Sequence, residues 1–141
     1  MYEHDLEKYW KTVVNTVEDG IMILDKEGII VSINDAISKI TGYSRKELVG
    51  EPCSVLNCDI CEQAREDSGR HWCVLFKTGR MDRKRCKFIK KDGSTVYALK
   101  NASLLLDHQN QVIGAVESVT DISEIIAKDY QIEAFKRELK D

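Results

Sequence analysis

Residues 19–34 read Asp19-Gly20-Ile21-Met22-Ile23-Leu24-Asp25-Lys26-Glu27-Gly28-Ile29-Ile30-Val31-Ser32-Ile33-Asn34, and this stretch decides the fold. Gly20-Ile21-Met22-Ile23-Leu24-Asp25 is a short apolar strand. Lys26-Glu27-Gly28 is a turn, with glycine supplying the positive φ that a tight reversal needs. Ile29-Ile30-Val31-Ser32-Ile33 is a second, β-branched strand, so the two form a hairpin.

Downstream, Asn34 or Asp35 caps a helix that carries Ala36, Ile37 and Ile40 on one side and ends at Gly42. Ser44 and Glu47 form a capping box for a second short helix, closed by Gly50 and Pro52. Residues 53–79 follow no clear period. Strand signals return near Met81, with a strand over 85–91 and a turn at Lys91-Asp92-Gly93. A long strand over 95–106, a polar turn over 107–111 and a last strand over 112–119 complete an antiparallel meander. Residues 122–139 predict one helix, with Ile122, Ile125, Ile126, Ile132, Phe135 and Leu139 as its apolar positions.

Upstream, Leu6, Tyr9, Trp10, Val13, Val14 and Val17 recur at helical spacing over residues 6–17. That stripe suits packing on the domain's own sheet and dimerisation equally well. The order of elements predicts an α+β fold: a five-stranded antiparallel sheet with short helices on one face, an N-terminal amphipathic helix and a C-terminal connector helix. The boundaries fall at 1–18 for the flanking helix, 19–121 for the domain and 122–141 for the connector.

The chain has 141 residues, the size of one domain. Its net charge of −3 exerts no general pull on nucleic acid or anionic membrane. No apolar run approaches the ~20 residues of a membrane span. Met1-Tyr2-Glu3-His4-Asp5 lacks a signal-peptide pattern, so a cytoplasmic location is expected. Arg80, Arg83, Lys84, Arg85, Lys87, Lys90 and Lys91 form a basic run, which reads as a charged strand guarding a sheet edge rather than as a nucleic-acid contact. No phosphate loop, nucleophile elbow or Cys–His catalytic frame is present, so no enzyme is expected.

Several segments in order resemble the PAS domain family: Asp19-Gly20-Ile21-Met22-Ile23-Leu24-Asp25, Gly28-Ile29-Ile30, Ile33-Asn34, Thr41-Gly42-Tyr43-Ser44-Arg45-Lys46-Glu47-Leu48-Val49-Gly50, Lys90-Lys91-Asp92-Gly93-Ser94, and Gly114-Ala115-Val116 through Thr120-Asp121-Ile122-Ser123. The resemblance covers nearly the whole chain. It implies a sensor or dimerisation module tethered to an effector such as a histidine kinase, a cyclic-dinucleotide enzyme or a transcription activator. It also implies that Asp121 and Ile122 pass the signal from the last strand to the outgoing helix. A chain that begins at Met1 and ends in a charged helix is expected to be the N-terminal piece of a longer protein. A homodimer is expected, but the connector's heptad is poor, with Asp129 and Lys136 on the row beside Ile125, Ile132 and Leu139, so a dimer through this helix alone is expected to be weak.

Five cysteines, Cys53, Cys58, Cys61, Cys73 and Cys86, crowd the middle of the chain. Cys53-x4-Cys58-x2-Cys61 resembles the thiolate spacing of zinc and iron–sulfur sites, including the plant-type ferredoxin spacing. Three readings stand side by side: thiols with no shared role, a redox pair that forms a reversible disulfide, and a metal or iron–sulfur site drawn from the five cysteines with His71 as a further ligand. The short Cys58–Cys61 spacing in a polar stretch makes these two the ones packing explains least.

Gly50-Glu51-Pro52-Cys53-Ser54-Val55-Leu56-Asn57 lies where light-sensing members of the family carry Asn-Cys-Arg-Phe-Leu-Gln. Cys53 matches the photoreactive cysteine, but Pro52, Ser54 and Asn57 replace its partners. The family's flavin-binding asparagines would fall near Phe88 and Ala98, which cannot hydrogen-bond an isoalloxazine edge. His4, His71 and His108 fall outside the usual haem helix. The resemblance thus argues against flavin and haem.

Strand alternation and the family's geometry together predict a ligand pocket lined by Ile23, Ile33, Ile40, Leu56, Phe88, Leu99 and Val116. The function expected is that of a sensory domain detecting a ligand or a redox state. The alternatives are a constitutive dimerisation domain with a packed core, a metal or iron–sulfur redox sensor, and a dithiol oxidoreductase acting through Cys58 and Cys61.

Overall fold

A computed structural model of the chain describes residues 12–14, 16–59 and 80–140. In order, these form β1 (Gly20–Asp25), β2 (Ile30–Ile33), α1 (Asp35–Thr41), α2 (Arg45–Leu48), a 3-10 turn (Cys53–Leu56), β3 (Arg80–Ile89), β4 (Thr95–Leu106), β5 (Val112–Asp121) and α3 (Ser123–Lys140). The five strands make one antiparallel sheet in the order β2-β1-β5-β4-β3. This is the predicted architecture. The hairpin and the meander are both local, and the β1–β5 pairing closes them into one sheet.

The strand bounds differ from expectation at β3, which starts at Arg80 rather than residue 85. Its register shifts between Met81 and Lys84, and Arg83 takes a φ of 44°. Asn101 Oδ1 accepts the Arg83 N–H at 2.9 Å across this bulge. A bulge breaks the two-residue alternation by which a strand is recognised, so the first half of β3 is hidden in a run of charges.

One face of the sheet carries Met22, Leu24, Phe88, Val96, Ala98, Ala102, Ala115 and Val119, all buried. Ile37 of α1, Leu48 of α2 and Leu56 of the 3-10 turn close over it to complete the core. α1 lies so near β1 that a Cβ on Gly20 would overlap the Ile37 side chain. This contact requires Gly20, and with it Met22 and Leu24, to face the helices.

Asn34 holds the α1 end of this layer in place. It caps α1 by accepting the Ile37 N–H at 3.2 Å, and also accepts the Ile21 N–H at 2.9 Å. Its amide donates to the Val14 and Asp19 carbonyls at 2.9 and 3.0 Å. One buried side chain thus fixes β1, α1 and the incoming chain. Residues 12–14 and 16 are helical, and the rest of the predicted N-terminal helix, through residue 11, lies outside the described residues.

The predicted capping box forms in α2, with Ser44 Oγ accepting the Glu47 N–H and Glu47 Oε1 accepting the Ser44 N–H. Glu47 also pairs with Lys91 at 2.6 Å, and the Lys91 N–H donates to the Thr41 carbonyl. The β3–β4 turn is therefore latched to the helical layer. The Lys91 ammonium, aided by the Ser44 N–H, lowers the Glu47 carboxyl from an ordinary 4.5 to about 2.

Asn34→Ala is expected to strand buried backbone groups and destabilise the chain by about 3 kcal/mol, read from the urea midpoint. Gly114→Ala, which would drive a Cβ into the Leu24 carbonyl, is expected to cost about 1–3 kcal/mol in the same measurement. The Glu47 latch contributes fully above its unfolded value of 4.5 and is lost as pH falls towards its folded value of about 2. A carboxyl titration followed by NMR is expected to show Glu47 ionised well below its exposed neighbours.

Candidate functional site

Inside the helical layer, two charged side chains lie where apolar ones were expected. Lys100 of β4 is 3% exposed and Glu117 of β5 is 0% exposed. Register explains both positions. Lys100 pairs with Val119, and Glu117 stands opposite both Ala102 and Met22, so the two side chains share the core face. Two buried charges are tolerable only because they face each other. Lys100 Nζ lies 3.7 Å from Glu117 Oε2 and also 3.7 Å from Cys58 Sγ. It therefore acts as a point charge shared between a carboxylate and a thiol, too distant for a short charge-assisted hydrogen bond to the carboxylate.

Cys58 is placed by its neighbour. Asp59 Oδ1 accepts the Lys87 N–H of edge strand β3 at 3.1 Å. That bond draws the chain after the 3-10 turn against β3, and the Cys58 thiol meets the Cys86 thiol in a hydrogen bond. This bond, with burial, holds the Cys86 thiol well above its ordinary range, although Lys100 pulls the other way. Upstream, the Cys53 N–H donates to the Gly28 carbonyl and Pro52 bridges to Ile29, which carries Cys53 into the same core.

Two spaces adjoin the thiols. An enclosed cavity of about 10 Å³ is lined by Cys53, Cys58, Lys100, Thr41, Leu56 and Phe88, among others. An open groove of about 350 Å³ runs between the start of α3 and strands β3 and β4, with Cys86, Ala98, Ile122, Ile126 and Tyr130 among its walls. Cys86 thus reaches from the inner cluster to the outgoing helix.

Of the predicted pocket residues, Ile33, Leu56 and Phe88 are buried in the core, and Leu56 and Phe88 line the enclosed cavity. Ile40 is half-buried at its margin. Ile23, Leu99 and Val116 require correction. They are half-buried on the opposite face, one residue out of phase with Met22, Lys100 and Glu117. Alternation read from hydrophobicity points Leu99 and Val116 inward because the next residue in each strand, Lys100 or Glu117, is charged. Mutual compensation between Lys100 and Glu117 reverses that phase.

Of the five cysteines, the structure brings Cys58 and Cys86 together with Cys53 nearby, while Cys61, Cys73 and His71 lie outside the described residues. Among the described residues no group of three ligating side chains converges. Phe88 and Ala98, where the family's flavin-binding asparagines would fall, are buried on the core face. Asp121 Oδ1 accepts the Ser123 N–H at 2.9 Å at the start of α3. The tie to the sheet comes from the neighbouring residues: the Ile122 N–H donates to the Tyr97 carbonyl, and Ser123 Oγ accepts the Tyr97 N–H. Ser123, Lys100 and Glu117 were missed in sequence. The signal for the last two was available as two charges, one in each of two adjacent strands. Of the basic run, Arg83, Lys84, Arg85, Lys87 and Lys91 are exposed and Lys90 is half-buried.

Lys100→Met removes the cation that faces Glu117 and is expected to cost about 3–5 kcal/mol in urea unfolding. Lys100→Met with Glu117→Leu is expected to recover most of that loss, which a double-mutant cycle measures.

No helix among the described residues is long and apolar enough to cross a membrane. The chain is 27% identical over 110 residues to the biofilm dispersion protein BdlA of Pseudomonas aeruginosa, covering 78% of this chain and 26% of that protein. It is 27% identical over 119 residues to the sensor histidine kinase TmoS of Ectopseudomonas mendocina, covering 84% of this chain and 12% of that protein. The chain thus spans about a quarter or less of these relatives. The crystal structure of a PAS domain from Colwellia psychrerythraea matches with a TM-score of 0.71 at 20% identity, over 85% of this chain and 99% of that one. The model of the PAS domain family matches residues 18–124. The chain belongs to the PAS domain family.

Proposed function

We propose that this chain is the sensory input domain of a larger cytoplasmic signal-transduction protein of the histidine-kinase kind, and that it reports redox state through Cys58 and Cys86. The observation that carries this reading is the Cys58–Cys86 hydrogen bond beside Lys100, with Cys86 also walling the groove under α3. Sensor kinases among the relatives support the effector. The domain itself turns nothing over, and it holds neither flavin nor haem.

Lys100 decides between the two uses of the thiols. An ammonium 3.7 Å from Cys58 Sγ repels a zinc ion or an iron centre and stabilises a thiolate. The same charge favours the thiolate that attacks when a dithiol closes to a disulfide. The signal leaves by movement of β3 against α3. The apolar side chains of α3, Ile125, Ile132, Phe135 and Leu139, are exposed and open to the following domain or to a second copy in a weak dimer.

The test equilibrates the chain across ratios of oxidised to reduced dithiothreitol, with peptide mapping for cross-links and metal analysis of the protein as purified. The expected result is an intramolecular Cys58–Cys86 disulfide that reduction reverses and that Cys58→Ser or Cys86→Ser abolishes. No cross-link at any ratio, or stoichiometric zinc or iron on these thiols, overturns the proposal.

A further inference from the structure

The two thiols of the pair are not equivalent, and the difference specifies the oxidant. Cys58 lines the enclosed cavity and Cys86 does not, whereas Cys86 lines the open groove and Cys58 does not. Lys100 Nζ is 3.7 Å from Cys58 Sγ. The Cys58 thiol donates to Asp59 Oδ1 at 4.0 Å, and the same oxygen accepts the Lys87 N–H at 3.1 Å. Cys86 donates its proton to Cys58 and is held protonated by that bond and by burial. The Lys100 ammonium thus stands beside Cys58, the sulfur that faces the smaller space. A thiolate attacks peroxides and a thiol does not.

We infer that Cys58 attacks a hydroperoxide of hydrogen-peroxide size admitted to the enclosed cavity, and that Cys86 resolves the product to a disulfide. The inference rests on the redox reading of the pair. A cavity of about 10 Å³ is at the lower limit for one water, so a two-oxygen molecule enters only as the lining gives way by about one further water's volume. An aromatic hydroperoxide or glutathione disulfide needs the core to open. The open groove admits larger molecules, but the sulfur they reach there is the protonated one.

The chemistry balances with the peroxide as the sole oxidant. Cys58 thiolate attacks one peroxide oxygen, the O–O bond breaks, and the leaving hydroxide recovers from solvent the proton that Cys58 had given up. Cys58 is then a sulfenic acid. Cys86 sulfur attacks Cys58 sulfur, the S–S bond forms, the S–O bond breaks, and the hydroxide leaves as water with the Cys86 proton. Two thiols and one peroxide give one disulfide and two waters, with two electrons passing from sulfur to oxygen.

The experiment treats the reduced chain with hydrogen peroxide or with cumene hydroperoxide and follows the cross-link by peptide mapping. Cross-linking by hydrogen peroxide is expected to be about tenfold or more faster. Cys86→Ser is expected to stop at a sulfenic acid on Cys58, captured by dimedone, and Cys58→Ser is expected to leave Cys86 unlabelled. Equal rates with the two hydroperoxides, or dimedone capture on Cys86 in Cys58→Ser, overturn the inference. The hydroperoxide comparison uses the unmodified chain, so it stands even if a variant fails to fold. Equilibration in dithiothreitol buffer does not depend on oxidant size: a cross-link there with equal hydroperoxide rates discards only the size selection, and no cross-link there discards the redox reading itself.

Discussion

The buried ammonium of Lys100 is the constraint around which the interior of this domain is arranged. A lone charge there would carry a desolvation penalty of several kcal/mol. Its partners come from three separate parts of the chain: Glu117 from β5, Cys58 from the segment after the 3-10 turn, and Cys86, through Cys58, from β3. The core face of β4 and β5 cannot be recast as wholly apolar one residue at a time, because either charge alone is worse than both. The same charge gives one of two adjacent thiols an environment suited to a thiolate.

The cluster has a direct mechanical connection to the exit of the domain. β3 carries Cys86 and pairs along its length with β4, and β4 holds Tyr97, whose main chain binds both Ile122 and Ser123 at the start of α3. A change in the separation of Cys58 and Cys86 acts on edge strand β3, whose outer side is bound through the Lys87 N–H to Asp59 Oδ1. Asn34 ties β1 to α1 at the far side of the sheet, and the Glu47–Lys91 pair latches the β3–β4 turn to the helical layer.

Much of this was legible in the sequence. The hairpin at residues 20–33, the Ser44–Glu47 capping box, the Asn34 cap and the three-strand meander are local features, and local chemistry specifies them. The misread parts were non-local. Leu99 and Val116 were placed inward because hydrophobicity sets the phase of an isolated strand, but Lys100 and Glu117 face inward only because each compensates the other across the sheet. The first half of β3 was hidden by the bulge at Arg83. The cysteines drew attention as a cluster, but spacing singled out Cys58 and Cys61. The partner that the fold supplies for Cys58, Cys86, lies 28 residues further on, brought near by the Asp59–Lys87 bond.

The central claim is that the state of the Cys58–Cys86 pair is coupled to α3. Amide hydrogen exchange across Ser123–Lys140, measured on the reduced and the oxidised chain, tests it most directly. The account predicts a change in protection concentrated at residues 122–130, where the groove holding Cys86 meets the helix, and absent from oxidant-treated Cys86→Ser. Identical exchange across α3 in the reduced and the cross-linked chain would contradict it.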